Sequence, residues 1–265
     1  MSKLLVKPNG TSGKVIDVTP ESAGWTYVGF TLHKLSPGQS VSAPTGDREV
    51  CLVLVSGTAD ITAGSENFPS VGKRTSPFEG KPEAVYIPGH SNWSAKAVTQ
   101  VELAVCSAPA LTEKKARFIS SEDMSQETRG KGTNVRHVTN ILPETDPTAD
   151  SLLVVEVITP GGHTSSYPPH KHDEDNLPHE SLLEESYYHR LNPPQGYAFQ
   201  RVYTDDRSLD ETMLLEDGVT ALVPKGYHPC ATIHGYDLYY LNVMAGPTRI
   251  WKFHNQTEHE WLLKQ

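Results

Sequence analysis

Cysteine is scarce in this 265-residue chain: Cys51, Cys106 and Cys230 are the whole supply. An odd number, wide spacing and no CxxC pair exclude a disulfide framework and a cysteine-built zinc knuckle. They suit reduced thiols in a cytosolic protein. Long apolar runs are also missing. No stretch approaches the ~20 apolar residues that span a bilayer, and the opening MSKLLVKPNG lacks the build of a signal peptide. Basic excess is absent too: the net charge is −9 and the pI about 5.7. An acidic surface repels phosphate backbones and anionic lipid, which excludes nucleic acid and membranes as expected partners. The chain reads as a cytoplasmic enzyme or binding protein. Helical periodicity is rare.

What the chain does have is short β-branched and aromatic runs punctuated by 20 Gly and 20 Pro. EVCLVLVSG, AVYIP, VELAVCS, SLLVVEVITP, ESYYHRL, YAFQRVY, TALVP and LYYLNVMAG are each bounded by turn residues. The pattern predicts antiparallel strands in sandwiches or barrels. The runs also match in pairs. Glu49 to Glu185 and Pro88 to Pro224 are both 136 residues apart, and Pro109 to Pro247 is 138. Pro37 to Pro160 is only 123, so the second copy carries 13 extra residues before its glutamate. A repeat with ends in step predicts two similar β-domains. The expected division is residues 1–110, a polar linker over 111–135 with a short helix near its start, and residues 136–265.

The 13-residue excess falls in PPHKHDEDN. His170 and His172 lie two apart and share one side of an extended segment, with Lys171 pointing away. Glu185 opens the next strand, with Tyr187 and His189 continuing its face. His228 follows a strand end at Pro224 and a turn at Gly226. Three imidazoles and one carboxylate can hold a single divalent ion such as zinc, iron, manganese, nickel or copper. Such a set leaves positions open, as catalytic sites do and structural ones do not. His163, His179 and His234 read as surface or hydrogen-bonded histidines. Asp173, Glu174 and Asp175 read as a solvated loop.

These residues resemble the cupin superfamily. Gly162, His170, His172 and Glu185 match its first motif, and Gly218, Pro224, Gly226 and His228 match its second. The gap of twelve residues between His172 and Glu185 exceeds the usual three or four and leaves Glu184 as a rival ligand. Glu185 is preferred because Tyr187 and His189 share its face and because it aligns with Glu49. Longer blocks, among them TPGGHTSSYPPHKHD, LEESYYHRLNPPQGYAFQRVY and GYDLYYLNVMAGPTRIW, resemble the 5-deoxy-glucuronate isomerase family of myo-inositol breakdown. That family is related to 4-deoxy-threo-hexosulose-uronate ketol-isomerase.

The resemblance implies an all-β bicupin of two jelly-roll-like barrels, the first degenerate and metal-free. It implies aldose–ketose isomerisation of a uronic acid on one divalent metal, zinc first, with manganese, iron or nickel as alternatives. The proton would be carried by Glu185, Tyr187 or His189. Substrate would be bound by Gln200, Arg201, Tyr203 and Tyr239. Arg201 and Arg190 are the candidates for the carboxylate, and on a regular strand only one of Gln200 and Arg201 can face inward. Pairing of exposed sheet edges would give a homo-oligomer. The rival readings are an iron or copper cupin dioxygenase using the same ligands and a non-catalytic sugar-binding bicupin.

Overall fold

The computed structural model describes residues 2–264. Strands dominate. The helical elements are short, among them Pro20–Ala23, capped by Thr19, and the turns over Thr257–Lys264. No helix among the described residues is long and apolar enough to cross a membrane.

The chain forms two compact units. One comprises Pro8–Ser125 and Asn140–Val154. Its larger sheet runs, in spatial order, Arg117–Ile119, Ala84–Ile87, Arg48–Ser56, Val101–Pro109, Gly29–Leu35, Gly13–Val18. Its smaller sheet runs Ser40–Pro44, Asn92–Ala97, Ala59–Ala63, Glu66–Val71. Leu52, Leu54, Val85 and Leu103 from the first sheet and Ile61, Trp93 and Ala95 from the second are buried in one apolar core. Leu52 to Val55 read as a continuous apolar run because both faces of that strand are buried.

The other unit comprises the N-terminal residues to Lys7, Gln126–Thr139, and the chain from Val155 on. Its larger sheet runs Leu5–Val6, Thr220–Val223, Glu184–Asn192, Asp237–Ala245, Leu153–Thr159, Arg136–Leu142, Ser125–Arg129. Its smaller sheet runs Thr164–Ser165, Cys230–Thr232, Ala198–Tyr203, Asp210–Leu215. The smaller sheet and the five central strands of the larger one repeat the order of the first unit; the larger sheet adds a seventh strand, Ser125–Arg129, and takes its other edge, Leu5–Val6, from the start of the chain. The chain is all-β and built on an internal repeat.

The units do not divide at one point of the chain, in contrast to the expected division at 111–135. Leu5–Val6 pairs with Thr220–Val223 in the second unit, and Arg117–Ile119 pairs with Ala84–Ile87 in the first. An open sheet edge carries unpaired backbone groups, and a strand from the expected linker satisfies them better than water-exposed coil would. The segment starts with no helix. Arg117 is tied instead to Asp146 Oδ2 at 2.9 Å.

Register corrects one alignment. Val50 pairs with Ile87, the residue before Pro88. Glu185 pairs with Val223, the residue before Pro224. The first-unit equivalent of Glu185 is therefore Val50, not Glu49. A slip of one residue moves a strand side chain to the opposite face. Glu49 lies on that opposite face, fully buried, where it accepts hydrogen bonds from the backbone N–H groups of Asp150, Ser151 and Leu152 at 2.7–2.8 Å and from Tyr86 Oη at 2.7 Å.

Candidate metal centre

The loop that supplies the paired histidines is braced by its own charges. His170–Lys171 pairs with His254–Asn255. Lys171 points away from its neighbours, and its ammonium donates to Asp173 at 2.8 Å, Glu174 at 2.9 Å and Glu180 at 3.2 Å. Burial opposes the charge on Lys171, but these bonds outweigh it and raise its pKa. Glu180 also accepts the Asp173 and Glu174 N–H groups, and Asp173 Oδ2 accepts the Gly226 N–H at 2.7 Å. Asp173 thus ties the histidine-bearing loop to the turn before His228, while Glu174, its side chain 61% exposed, and Asp175 lie at the solvated surface as expected. The carboxylates of Asp173, Glu174 and Glu180 converge, and Lys171 already supplies their cation.

His172, Glu185 and His228 are all buried, and each offers a ligand atom within 4.8 Å of the others. His172 Nε2 lies 3.1 Å and His228 Nε2 3.2 Å from Glu185 Oε2. Each imidazole is oriented from behind: His172 Nδ1 meets the Leu183 carbonyl at 3.1 Å and His228 Nδ1 meets the Gly226 carbonyl at 2.9 Å. A backbone acceptor on Nδ1 fixes the proton there and leaves Nε2 as a lone-pair donor, the arrangement that metal-ligating histidines use. His228 Nε2 has no hydrogen-bond partner of proper geometry. A buried nitrogen left unsatisfied requires an explanation, and a cation at this point supplies one. Asn242 Nδ2 donates to Glu185 Oε1 and holds that carboxylate in place.

Burial pushes the Glu185 carboxyl up, but His228, His172 and the Asn242 hydrogen bond outweigh it and hold it below the usual range. His172 is opposed by burial and raised on balance by Glu185. His228 is lowered, mainly by burial. His170 stands beside this trio. Its ring is 4.9 Å from that of His228, 6.3 Å from that of His172 and 4.6 Å from that of Phe253.

The inward row of the larger sheet completes the site. Glu185, Tyr187 and His189 lie opposite Met244, Asn242 and Tyr240. Tyr187 Oη is 3.3 Å from Ser166 Oγ, and burial keeps its phenol well above the usual pKa. His189 stacks on Tyr187 with ring centroids 6.0 Å apart. Its Nε2 is 3.3 Å from Gln200 Oε1, and burial pulls its pKa down to about 3. Gln200 Nε2 donates to the His228 carbonyl at 3.2 Å, so Gln200 braces the site.

Three expected substrate residues lie elsewhere. Arg201 faces outward and pairs with both Asp210 oxygens at 2.7 and 2.8 Å. Tyr203 donates to Gln256 Oε1 at 2.6 Å under the guanidinium groups of Arg201 and Arg207. Tyr239 lies opposite Arg190, on the other face of the sheet. Arg190 itself is paired with Asp217 at 2.8 Å. Tyr240, not Tyr239, is the inward tyrosine, 2.6 Å from Ser165 Oγ. A cavity beside the trio is lined by Ser166, His170, Tyr187, Tyr240, Asn242 and Trp251 together with Arg129 and Arg136. Asn242, Tyr240 and these two arginines went unnoticed in the sequence. The first two are placed only by the register that sets Asn242 opposite Tyr187 and Tyr240 opposite His189.

The profile of the KduI/IolB family matches residues 4–262. The 5-deoxy-glucuronate isomerase of Geobacillus kaustophilus is 52% identical, covering 100% of this chain and 96% of its own length. That of Halalkalibacterium halodurans is 51% identical with 100% of both chains covered. Among solved structures, an IolB-like protein from Salmonella typhimurium LT2 superposes with a TM-score of 0.97 at 52% identity, over 98% of this chain and 99% of that one. Oxalate decarboxylase from Lactobacillus farciminis superposes with a TM-score of 0.68 at 13% identity, over 100% and 91%, a likeness of fold.

Proposed function

Because the chain belongs to the KduI/IolB family, we propose that it is the isomerase that converts 5-deoxy-glucuronate to 2-deoxy-5-keto-gluconate in myo-inositol breakdown, in the cytoplasm and with a divalent metal. The observation that carries the metal is the convergence of His172, Glu185 and His228, whose buried ligand atoms all lie within 4.8 Å of one another. His170 is the fourth ligand in this reading, and zinc is the first ion to test, then manganese, iron and nickel.

An aldose–ketose shift moves a proton between C2 and C1 of the open-chain sugar, and the carbon acid is weak. When bound, the ion supplies Lewis-acid polarisation of the carbonyl, an effect worth several kcal/mol. The protein's own groups then move the proton, an effect worth roughly 10²–10⁴-fold. Glu185 is ionised and central, which makes it the carrier of choice among Glu185, Tyr187 and His189. His189 turns its Nε2 to Gln200 and not to the trio. Tyr187 keeps its proton and donates a hydrogen bond to a substrate oxygen, while His189 and Gln200 hold it and His228 in position. Asn242 keeps Glu185 aimed.

The test is turnover of 5-deoxy-glucuronate followed by carbon NMR. Ketone product should appear, disappear after chelation and dialysis, and return on adding back the ion. An unchanged rate in metal-free protein contradicts the metal. No product from metal-loaded protein contradicts the substrate. Oxygen uptake in step with turnover would favour the dioxygenase reading.

A further inference from the structure

The cavity beside the histidine cluster contains a cation that no residue answers. Arg129 ends one strand and Arg136 opens the next. The chain between them turns at Gly130, whose φ is +82 and where a β-carbon would lie 2.0 Å from the Asn134 carbonyl oxygen and 2.8 Å from Arg136 Nη1. Any side chain there would strain the backbone and displace the arginine. Both guanidinium groups are thereby brought to one cavity.

Arg129 is accounted for: it pairs with Glu127 at 2.6 Å and lies 5.2 Å from the Trp251 ring centroid. Arg136 is not. It donates to the Asn134 carbonyl at 3.1 Å, and no carboxylate among the described residues lies within ion-pair distance of it. Its neighbours on the inward face are Val138, Val155 and Val157. A half-buried guanidinium in an apolar wall without a counter-ion is costly, and burial pushes its pKa down. Arg190 and Arg201, by contrast, are each neutralised by an aspartate. Arg136 lines the same cavity as His170 and Tyr240, which places it at the site and not at a distant surface.

We propose that Arg136 is the receptor for the carboxylate of the substrate, binding it through the planar donor fork that suits this anion, and that it makes the enzyme select uronates over neutral sugars. This rests on the reading that the substrate is a uronate. The carboxylate then supplies the missing counter-ion in the cavity that Arg136 shares with His170.

The test compares wild type, Arg136→Met and Arg136→Lys on two substrates: 5-deoxy-glucuronate, and the neutral analogue with CH₂OH in place of the carboxylate. Arg136→Met should lower kcat/KM for the uronate about 100-fold, mostly through KM, the size expected when one partner of a desolvated charge pair is truncated. The neutral analogue should change by less than ~3-fold. Arg136→Lys, which keeps the charge and loses the fork, should fall between and guards against a folding defect in the methionine variant. An equal loss on both substrates, or no loss on the uronate, overturns the proposal. If wild type fails to turn over the uronate, the activity reading fails on its own. Arg136 is then decided by binding: the unreactive, C1-reduced form of 5-deoxy-glucuronate should raise the melting temperature of wild type and not of Arg136→Met. Equal shifts in the two proteins would overturn it.

Discussion

In the first unit the strand Arg48–Ser56 turns Val50, Leu52 and Leu54 into an apolar core. In the second, Glu184–Asn192 turns Glu185, Tyr187 and His189 inward against Asn242 and Tyr240. The central strands of the two sheets have the same order, and the positions correspond through Pro88 and Pro224. The scaffold therefore dictates where a side chain points, and a handful of inward residues decides whether the interior is a packed core or a site. Polar groups in the second unit's interior are oriented by neighbours: backbone carbonyls for Nδ1 of His172 and His228, Asn242 for Glu185, Gln200 for His189 Nε2. His228 Nε2, His189 Nδ1 and Asn242 Oδ1 are left without a hydrogen-bond partner, and the first of these faces Glu185, where an ion would be held.

The two glutamates that looked equivalent sharpen the contrast. Glu49 is a structural acceptor for three backbone N–H groups and a tyrosine. Replacing it with alanine leaves those donors unsatisfied, each at a cost of about 1–3 kcal/mol. Glu49→Ala should lose on the order of 3–5 kcal/mol in a urea titration, while the activity of the folded fraction stays unchanged. A stable but inactive variant would mean that Glu49 belongs with the chemistry after all.

Asn242→Leu tests the support of the site and not the fold. Removing a group that orients a metal ligand costs roughly 10–100-fold in affinity, to be read by competition with a chromophoric chelator. An affinity equal to wild type would show that Glu185 is positioned without it.

The smallest expected effect is a pH slope. His189 titrates near 6.5 when unfolded and at about 3 when folded. Its folded pKa is depressed, so its contribution is full above about pH 6.5 and is lost as the pH falls toward 3. By pH 5 the loss is about 2 kcal/mol. His189→Gln should remove that part of the acid destabilisation between pH 7 and 5. An identical slope would place the titration elsewhere.

Much of this was legible in the sequence. The repeat, the strand runs, the extra residues around HKH and the inward parity of Glu185, Tyr187 and His189 follow from a two-residue period and turn punctuation. What escaped was whatever depends on pairing across strands. Glu49 was aligned one residue off because spacing alone does not fix register. Tyr239 and Tyr240 are indistinguishable by residue type, and the register that settles the choice, Tyr240 opposite His189, runs across the sheet. Arg129 lies in, and Arg136 directly after, a polar, glycine-bearing segment that reads as a linker, and only the sheet edge it joins turns it into a cavity wall. Lys171 was rightly pointed away, but the acids that receive it were not seen as its partners, since their meeting needs the loop to fold back at Glu180.

The central claim is that the inward set of the second unit, and not the fold it shares with the first, makes the enzyme. Glu185→Val installs there the residue that the first unit has at the equivalent position, Val50. Elemental analysis of purified wild type and Glu185→Val, paired with 5-deoxy-glucuronate turnover, tests it directly. The account predicts one ion per wild-type chain, loss of that ion in the variant and a fall in turnover of at least ~10³-fold, with circular dichroism unchanged. Full activity in a metal-free Glu185→Val protein would contradict it.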